Sequence, residues 1–209
     1  MKFMNIDFHI HTKYSRDCGL SLNLLRKICL KNNIFPIITD HDTIRGALKY
    51  SKMFNDCIVG EEINTKQGEI TGLFLNEEIK PHCDVLETIS RIKRQGGLVL
   101  IPHVFDRLRK SRLSSYTLKY IKPDIIEIFN SRTLFIKDNI LAYNYAKKHN
   151  YLMAVGSDAH SRFEVGKSFV IMDDFNSKTD FLKNLRKAKF VCKKSSIFVH
   201  LITKFKKLV

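Results

Sequence analysis

The chain has 209 residues, 44% hydrophobic and 27% charged, which suits one domain with a sizeable core and excludes a disordered protein. Its 36 Lys and Arg residues outnumber 21 Asp and Glu residues, a formal charge of +15 that predicts an attraction for phosphate-bearing molecules. No stretch reaches the ~20 apolar residues that span a bilayer, and the N-terminal residues lack a signal-peptide core. The five cysteines form no CxxC pair and indicate free thiols. We therefore expect a cytoplasmic protein with no membrane partner.

Hydrophobic periodicity and turn residues predict strands that alternate with helices along the whole chain. The predicted strands cover residues 3–9, 34–39, 57–63, 69–75, 98–101, 125–129, 152–155 and 169–172. Helices are predicted after the capping residues Ser21 and Asp84, and over residues 44–54, 116–121, 137–150 and 178–187. This alternation predicts an α/β domain with a parallel sheet, open or closed into a barrel. In such barrels the chemistry gathers where the strands end.

Metal-binding side chains follow the ends of these strands. The first two strands end in Asp7-Phe8-His9-Ile10-His11 and Thr39-Asp40-His41-Asp42, and later strands end in Gly60-Glu61-Glu62, Pro102-His103, Asn130 and Gly156-Ser157-Asp158-Ala159-His160. Residues i and i+2 of an extended strand point the same way, so His9 and His11 can face one ion, and Asp158 and His160 repeat that spacing. Imidazole with carboxylate suits Zn, Mn or Fe, and several carboxylates allow more than one ion.

These motifs, in this order and together with Asp17, resemble those of the polymerase-and-histidinol-phosphatase (PHP) family over about residues 5–166. The resemblance implies a distorted seven-stranded (β/α) barrel with two or three divalent ions (Mn, Fe or Zn) for phosphate ester hydrolysis. It implies a first ion on His9, His11, Glu62 and Asp158, a second on Glu62 and His103, and a third on Asp17, His41 and His160. Asp158 and His160 would then be the catalytic residues, and the adjacent Asp7 and Asp40 would orient the ligands.

The sequence departs from the family pattern at one ligand. The family often has another His on the strand that follows the conserved Glu, and here that stretch reads Glu69-Ile70-Thr71-Gly72-Leu73. Glu69 lies on the same strand face as Thr71 and can substitute for the missing His. His82, in a loop, is the other candidate. Two ions and three ions therefore both remain open.

We expect a metal-dependent phosphoesterase that cleaves small phosphomonoesters or nucleotides, by in-line attack of a metal-bound hydroxide on phosphorus. Arg107, Arg109 and Arg132 stand on loops at the strand ends, and Arg107, Arg132 and Asn130 are the candidate phosphate-binding residues. The alternatives are a nuclease that trims oligonucleotide ends, and a catalytically inactive PHP-like scaffold that binds nucleic acid or a partner. A single domain over residues 1–209 is expected, with the basic C-terminal segment 190–209 packed on the barrel. The oligomeric state stays open.

Overall fold

The computed structural model of the protein describes residues 3–199. Its strands are β1 (Phe3–Ile10), β2 (Ile34–Ile38), β3 (Ile58–Thr65), β4 (Gly68–Leu73), β5 (Leu98–Ile101), β6 (Ile125–Asn130), β7 (Leu152–Gly156), β8 (Phe169–Asp173) and β9 (Lys189–Val191). Its helices are α1 (Leu22–Asn32), α2 (Arg45–Phe54), α3 (Val85–Arg94), α4 (Ile136–Lys148) and α5 (Lys178–Leu185). The helix expected over residues 116–121 is only a short 3₁₀ turn, Thr117–Lys119.

All nine strands of the described region form one sheet, in the order β7-β6-β5-β4-β3-β2-β1-β8-β9. The expectation of seven strands is therefore wrong, because β8 and β9 extend the sheet beside β1 as antiparallel strands. The sheet is also mixed, since β4 runs antiparallel to both β3 and β5. The loop after β7 returns to β1, where Ala159 N donates to His9 O at 3.2 Å and His11 N donates to Ala159 O at 2.9 Å. These bonds nearly close the sheet into a barrel.

Short polar side chains cap the N-termini of three helices. Ser21 Oγ accepts from Leu24 N at 3.3 Å, and Asp84 Oδ1 accepts from Leu86 N at 2.9 Å, so both predicted caps are present. Ser177 caps α5 in the same way. The helices pack their apolar faces on the sheet, with α1 and α2 enclosing a small core of their own around Leu25 and Tyr50.

The C-terminal segment runs from β9 toward the loops that follow the barrel strands. Beyond β9, Lys193 N donates to Ser168 Oγ at 3.0 Å, and Ser195 N donates to Ser131 O at 2.8 Å. The rest of the predicted basic segment, residues 200–209, lies outside the described residues. Among residues 3–199, no helix is long and apolar enough to cross a membrane.

Candidate metal centre

The barrel brings the predicted metal-binding residues together at the end where its parallel strands terminate. His9 lies near the end of β1, Glu62 lies in β3, and His103 and Asp158 are the second residues after β5 and β7. All of these side chains are buried, as are those of His11, Asp17, Glu69 and His160, whereas His41 is partly exposed. The chain thus gathers imidazoles and carboxylates from six separate segments into one buried cluster.

A first set of donors surrounds the Nε2 atoms of His9 and His11. His9 Nε2 lies 3.1 Å from His11 Nε2 and 3.3 Å from Glu62 Oε2. Asp158 Oδ1 lies 3.7 Å from His9 Nε2 and 3.4 Å from His11 Nε2. Two ligands bound ~2.1 Å from a common ion lie about 3.0 Å apart in octahedral geometry and about 3.4 Å apart in tetrahedral geometry. The separations among His9, His11 and Glu62 therefore fit a single coordination shell, and Asp158 lies beside it.

A second set of donors surrounds the other oxygen of Glu62. His103 Nε2 lies 2.8 Å from Glu62 Oε1 and 3.5 Å from Glu69 Oε2. Thr71 pairs directly with Glu62 across β3 and β4, and Glu69 stands two residues before it on the same face. A carboxylate thus occupies the strand face on which the family often has His. His82 is an exposed loop residue and lies outside the three clusters of candidate ligands in the described chain.

A third set lies beside the loop that follows β1. Asp17 Oδ1 is 3.3 Å from His160 Nε2, and Asp17 Oδ2 is 3.7 Å from His41 Nε2. His41 also turns Nδ1 toward Glu62 Oε2 at 3.2 Å, so its ring lies between this set and the first one. Across the described residues, the three groups of atoms with metal-ligand spacing are His9-His11-Glu62, His41-Glu62-Glu69 and His11-His41-His160.

Hydrogen bonds on the far side of the rings fix which nitrogen faces the cluster. Ser15 Oγ donates to Asp40 Oδ1 at 2.8 Å, so it must accept the proton of His11 Nδ1, 3.1 Å away. His9 Nδ1 donates to Glu127 Oε1 at 3.1 Å. When neutral, both rings turn a lone pair on Nε2 toward the other at 3.1 Å. Two facing lone pairs repel unless a proton or a metal ion lies between them, and a metal ion would use both lone pairs at once.

The electrostatics of the cluster keep its central carboxylates ionised. Burial raises the pKa of Glu62, but the neighbouring His9 and His41 outweigh it and hold that pKa well below its ordinary value. The pKa of Asp158 is also lowered, because the charges of Arg109 and His9 more than offset the effect of burial. Ionised carboxylates beside imidazole nitrogens are the donor set that divalent transition metals prefer.

The predicted orienting residues, Asp7 and Asp40, bond to segments that carry the cluster. Asp7 Oδ1 accepts from the backbone N–H of Ser157 at 2.9 Å and of His9 at 3.2 Å. Asp40 accepts from Thr12 N at 2.6 Å and, through Ser15, fixes the ring of His11. Burial raises the pKa of Asp7 to about 6 despite these bonds. Both carboxylates therefore hold β1 and its following loop in place.

The backbone of this region is strained at two of the cluster residues. Asp158 has φ 52° and His103 has φ 31°, values that non-glycine residues seldom adopt. Both residues are the second residue after a strand, so the positive φ turns the chain sharply where the strand ends. Such strain is common at functional sites.

Two residues that sequence reasoning did not select also belong to the site. Glu127 in β6 accepts from His9 Nδ1 and, at 2.7 Å, from His103 N. In the sequence, Glu127 is the single acidic residue of the apolar run Ile125–Asn130, and in the structure its side chain is buried. Arg109 Nη2 donates to Asp158 Oδ2 at 2.5 Å, which places a guanidinium beside the metal-type cluster.

The three predicted phosphate-binding residues lie in different settings. Arg107 is exposed, and its guanidinium bonds to Asp138 and lies 5.0 Å from the ring centre of Phe135. Arg132 is buried, with Nε 3.4 Å from Glu164 Oε1. Asn130 Nδ2 donates to Asp158 Oδ2 at 3.2 Å and so contacts the cluster directly.

Comparisons with known proteins identify relatives of the chain. Residues 137–190 match the model of a family described as PHP-associated. The chain is 40% identical over 181 residues to MJ0417, an uncharacterized protein of Methanocaldococcus jannaschii, covering 83% of this chain and 72% of that protein. A second uncharacterized protein of that organism, MJ1587, is 37% identical over 146 residues, covering 61% of this chain and 82% of that protein.

Solved structures share the fold at low sequence identity. PsfC from Pseudomonas syringae superposes with a TM-score of 0.71 at 13% identity, covering 100% of this chain and 99% of that one. A two-domain protein from Bacteroides vulgatus, described as containing a PHP-like metal-dependent phosphoesterase, gives 0.70 at 16% identity, covering 98% of this chain and 70% of that one. A Bifidobacterium adolescentis protein described as a metal-dependent phosphoesterase superposes with a TM-score of 0.64 at 16% identity. The match covers 93% of this chain and 98% of that one. With its motifs gathered on this barrel, the chain belongs to the PHP family.

Proposed function

We propose that the protein is a metal-dependent phosphoesterase that hydrolyses phosphate esters at the His, Asp and Glu cluster. The observation that carries this proposal is the pair of Nε2 atoms of His9 and His11, 3.1 Å apart, with Glu62 Oε2 and Asp158 Oδ1 within 3.7 Å. A buried cluster of this composition is costly unless cations neutralise it. The descriptions of the Bacteroides and Bifidobacterium proteins, which share this fold, support the same activity.

The proposed ligand sets follow the first, second and third sets of donors. His9, His11, Glu62 and Asp158 would hold one ion, and Glu62, His103 and Glu69 a second. Asp17, His41 and His160 would hold a third. Divalent ions (Mn, Fe or Zn) bound there would polarise phosphoryl oxygens and lower the pKa of bound water.

The chain's own side chains would orient the substrate. Arg109 keeps a positive charge beside Asp158 in a partly exposed position, since its side chain retains 21% exposure. Arg107 lies two residues before Arg109 in the same loop, and its side chain is more exposed. Guanidinium groups match the oxygens of a phosphate with several donors at once. We therefore add Arg109 to Arg107 as the proposed phosphate-binding residues. Arg132 and Asn130, both buried, would support the loop that carries them.

The catalytic roles proposed for Asp158 and His160 depend on which atoms of their side chains are already hydrogen-bonded to the protein. His160 Nδ1 lies 2.9 Å from the carbonyl oxygen of Asp158 and must donate to it, so Nε2 faces Asp17. Asp158 Oδ2 accepts from Arg109 and Asn130, while Oδ1 faces the imidazoles. Each residue thus has one side fixed by the protein and one side turned toward the cluster.

The test is metal content and turnover of the same preparations. Protein purified without chelator should carry two or three equivalents of Mn, Fe or Zn and hydrolyse members of a phosphomonoester panel. His9→Ala and Asp158→Ala should lose both while keeping the wild-type circular dichroism spectrum. His149→Ala, an exposed His at the end of α4, is the matched control and should keep both. Wild-type protein that stays substoichiometric in metal after incubation with Mn or Zn would contradict the proposal and favour a binding scaffold.

A further inference from the structure

We propose that a basic cavity at the opposite end of the barrel from the metal centre binds a phosphate-bearing small molecule with an apolar or aromatic part. The cavity lies where β6 and β7 start, since Asp124 precedes β6 and Leu152 begins β7. Its volume of about 530 Å³ lies within the ~300–1,000 Å³ of small-molecule sites. The cavity shares no residue with the metal centre, so this inference is independent of the proposed phosphoesterase activity.

Three basic side chains at the end of α5 line one side of the cavity. Lys183, Arg186 and Lys187 stand at positions i, i+3 and i+4, so they lie on one face of the chain there. All three are exposed, and within residues 3–199 none of their side chains forms an ion pair or a hydrogen bond. Like charges one helical turn apart repel each other. A bound anion would relieve this repulsion.

The acidic side chain of the cavity is already neutralised by other groups. Of the lining residues in the part of the chain that the structure describes, Asp124 alone is acidic. Its Oδ2 accepts from Lys93 Nζ and, at 2.7 Å, from the backbone N–H of Val99. The cavity therefore has a net positive charge. A phosphate monoester carries about two negative charges and three free oxygens near neutral pH, so it matches these cations better than a single carboxylate does.

Apolar side chains line the rest of the cavity. Pro123 is buried, while Tyr151 and Leu182 are partly buried and so leave some apolar surface open. The ring of Tyr151 stacks with those of Tyr145 and His149, whose centres each lie 6.1 Å from its own, and these contacts hold it in place. A fixed apolar surface beside three cations suits a ligand with a phosphate at one end and a ring or chain at the other. Inorganic phosphate alone would leave that surface uncovered.

The experiment measures binding of AMP to the full chain by isothermal titration calorimetry in chelator, which prevents hydrolysis. We expect Arg186→Ala to weaken AMP binding about ten-fold, as loss of one hydrogen bond to a charged group does. The double variant Lys183→Ala/Lys187→Ala should weaken it at least as much. Arg94→Ala is the matched control, since Arg94 is an exposed arginine at the end of α3, and it should bind as wild type. Arg109→Ala, altered beside the metal centre, should also bind as wild type.

Two partial ligands test the two halves of the cavity. Adenosine lacks the phosphate and inorganic phosphate lacks the aromatic part, so each should bind more weakly than AMP. Inorganic phosphate that binds as tightly as AMP would overturn the proposal, as would wild-type protein that does not bind AMP.

The variants locate the bound AMP. Equal binding by wild type, Arg186→Ala and the double lysine variant would overturn the proposal. Binding lost in Arg109→Ala but kept in Arg186→Ala would overturn it too, because AMP would then lie at the metal centre. Phosphomonoester turnover by metal-loaded protein is measured separately, and its absence would refute the proposed function without affecting this cavity.

Discussion

Replacing Glu127 by glutamine should weaken metal binding about 10- to 100-fold without unfolding the protein. Three donors converge on this buried carboxylate. His9 Nδ1 lies 3.1 Å from Oε1, while His103 N at 2.7 Å and Asn130 Nδ2 at 3.1 Å both donate to Oε2. Glutamine keeps the shape but offers one acceptor oxygen and one NH₂ group, so it cannot satisfy all three donors.

Each orientation of the new amide has a distinct cost. With NH₂ toward His9, Nδ1 must become the acceptor, and the ring proton moves to Nε2, where it blocks the lone pair that would bind metal. The resulting loss corresponds to about 1.4–2.7 kcal/mol of binding free energy. With NH₂ toward His103, a buried backbone N–H loses its acceptor, at a cost of about 1–3 kcal/mol of stability.

Calorimetric titration with Mn²⁺ and thermal unfolding in chelator separate these two outcomes. Glu87→Gln is the matched control, since Glu87 is an exposed residue of α3 that pairs with Arg91. The reasoning would be refuted if Glu127→Gln bound Mn²⁺ within two-fold of wild type at the same stoichiometry and also kept wild-type stability in chelator. In that case the contact with His9 would not set the tautomer.

Four further predictions concern the cluster and its surroundings. Burial raises the pKa of Glu61 from 4.5 to about 8, so wild type should lose stability as pH rises through this interval, and Glu61→Gln should gain relative to it in urea titrations. Glu62→Gln should instead lose bound metal, measured by elemental analysis; equal metal loss in both variants would contradict the assignment of Glu62. A Cβ at Gly156 would lie 2.5 Å from His9 Cβ and 2.6 Å from Glu127 Oε1, so Gly156→Ala should lower both melting temperature and metal content. Chelation of the wild type should lower its melting temperature, and excess Mn²⁺ should restore it; a chelator-insensitive transition would argue against bound metal.

The sequence predicts the residues of the cluster because of a property of parallel strands. Their carboxyl ends lie together, so residues such as His9 and His103, 94 positions apart in the chain, meet at one end of the barrel. Local signals also sufficed for the hairpin of β3 and β4, whose turn contains Gly68 with φ 132°. Strand-end position and turn residues are properties that one sequence displays directly.

Other features depended on packing that the sequence does not display. The three-residue strand β9 has no periodicity to detect and exists through pairing with β8, so the sequence predicts eight of the nine strands. Glu127 looked like one acidic residue in an apolar strand until the barrel placed it against His9. Among the arginines after β5, the path of the loop decides that Arg109 reaches Asp158 while Arg107 turns to Asp138. Side-chain direction in loops is set by tertiary contacts, which spacing cannot give.

The charge balance of the cluster links its stability to its proposed chemistry. Asp17, Glu62, Glu69 and Asp158 are buried around it, and Arg109 donates to Asp158. Burying four carboxylates in one cluster is costly, so positive charge must come from nearby guanidinium groups, from the imidazoles or from bound cations. Protonation of His9 and His11 would supply it only by using the lone pairs that these two rings turn toward each other. Divalent cations supply the charge and use those lone pairs, so the buried acidity and the histidine tautomers point to the same requirement for metal.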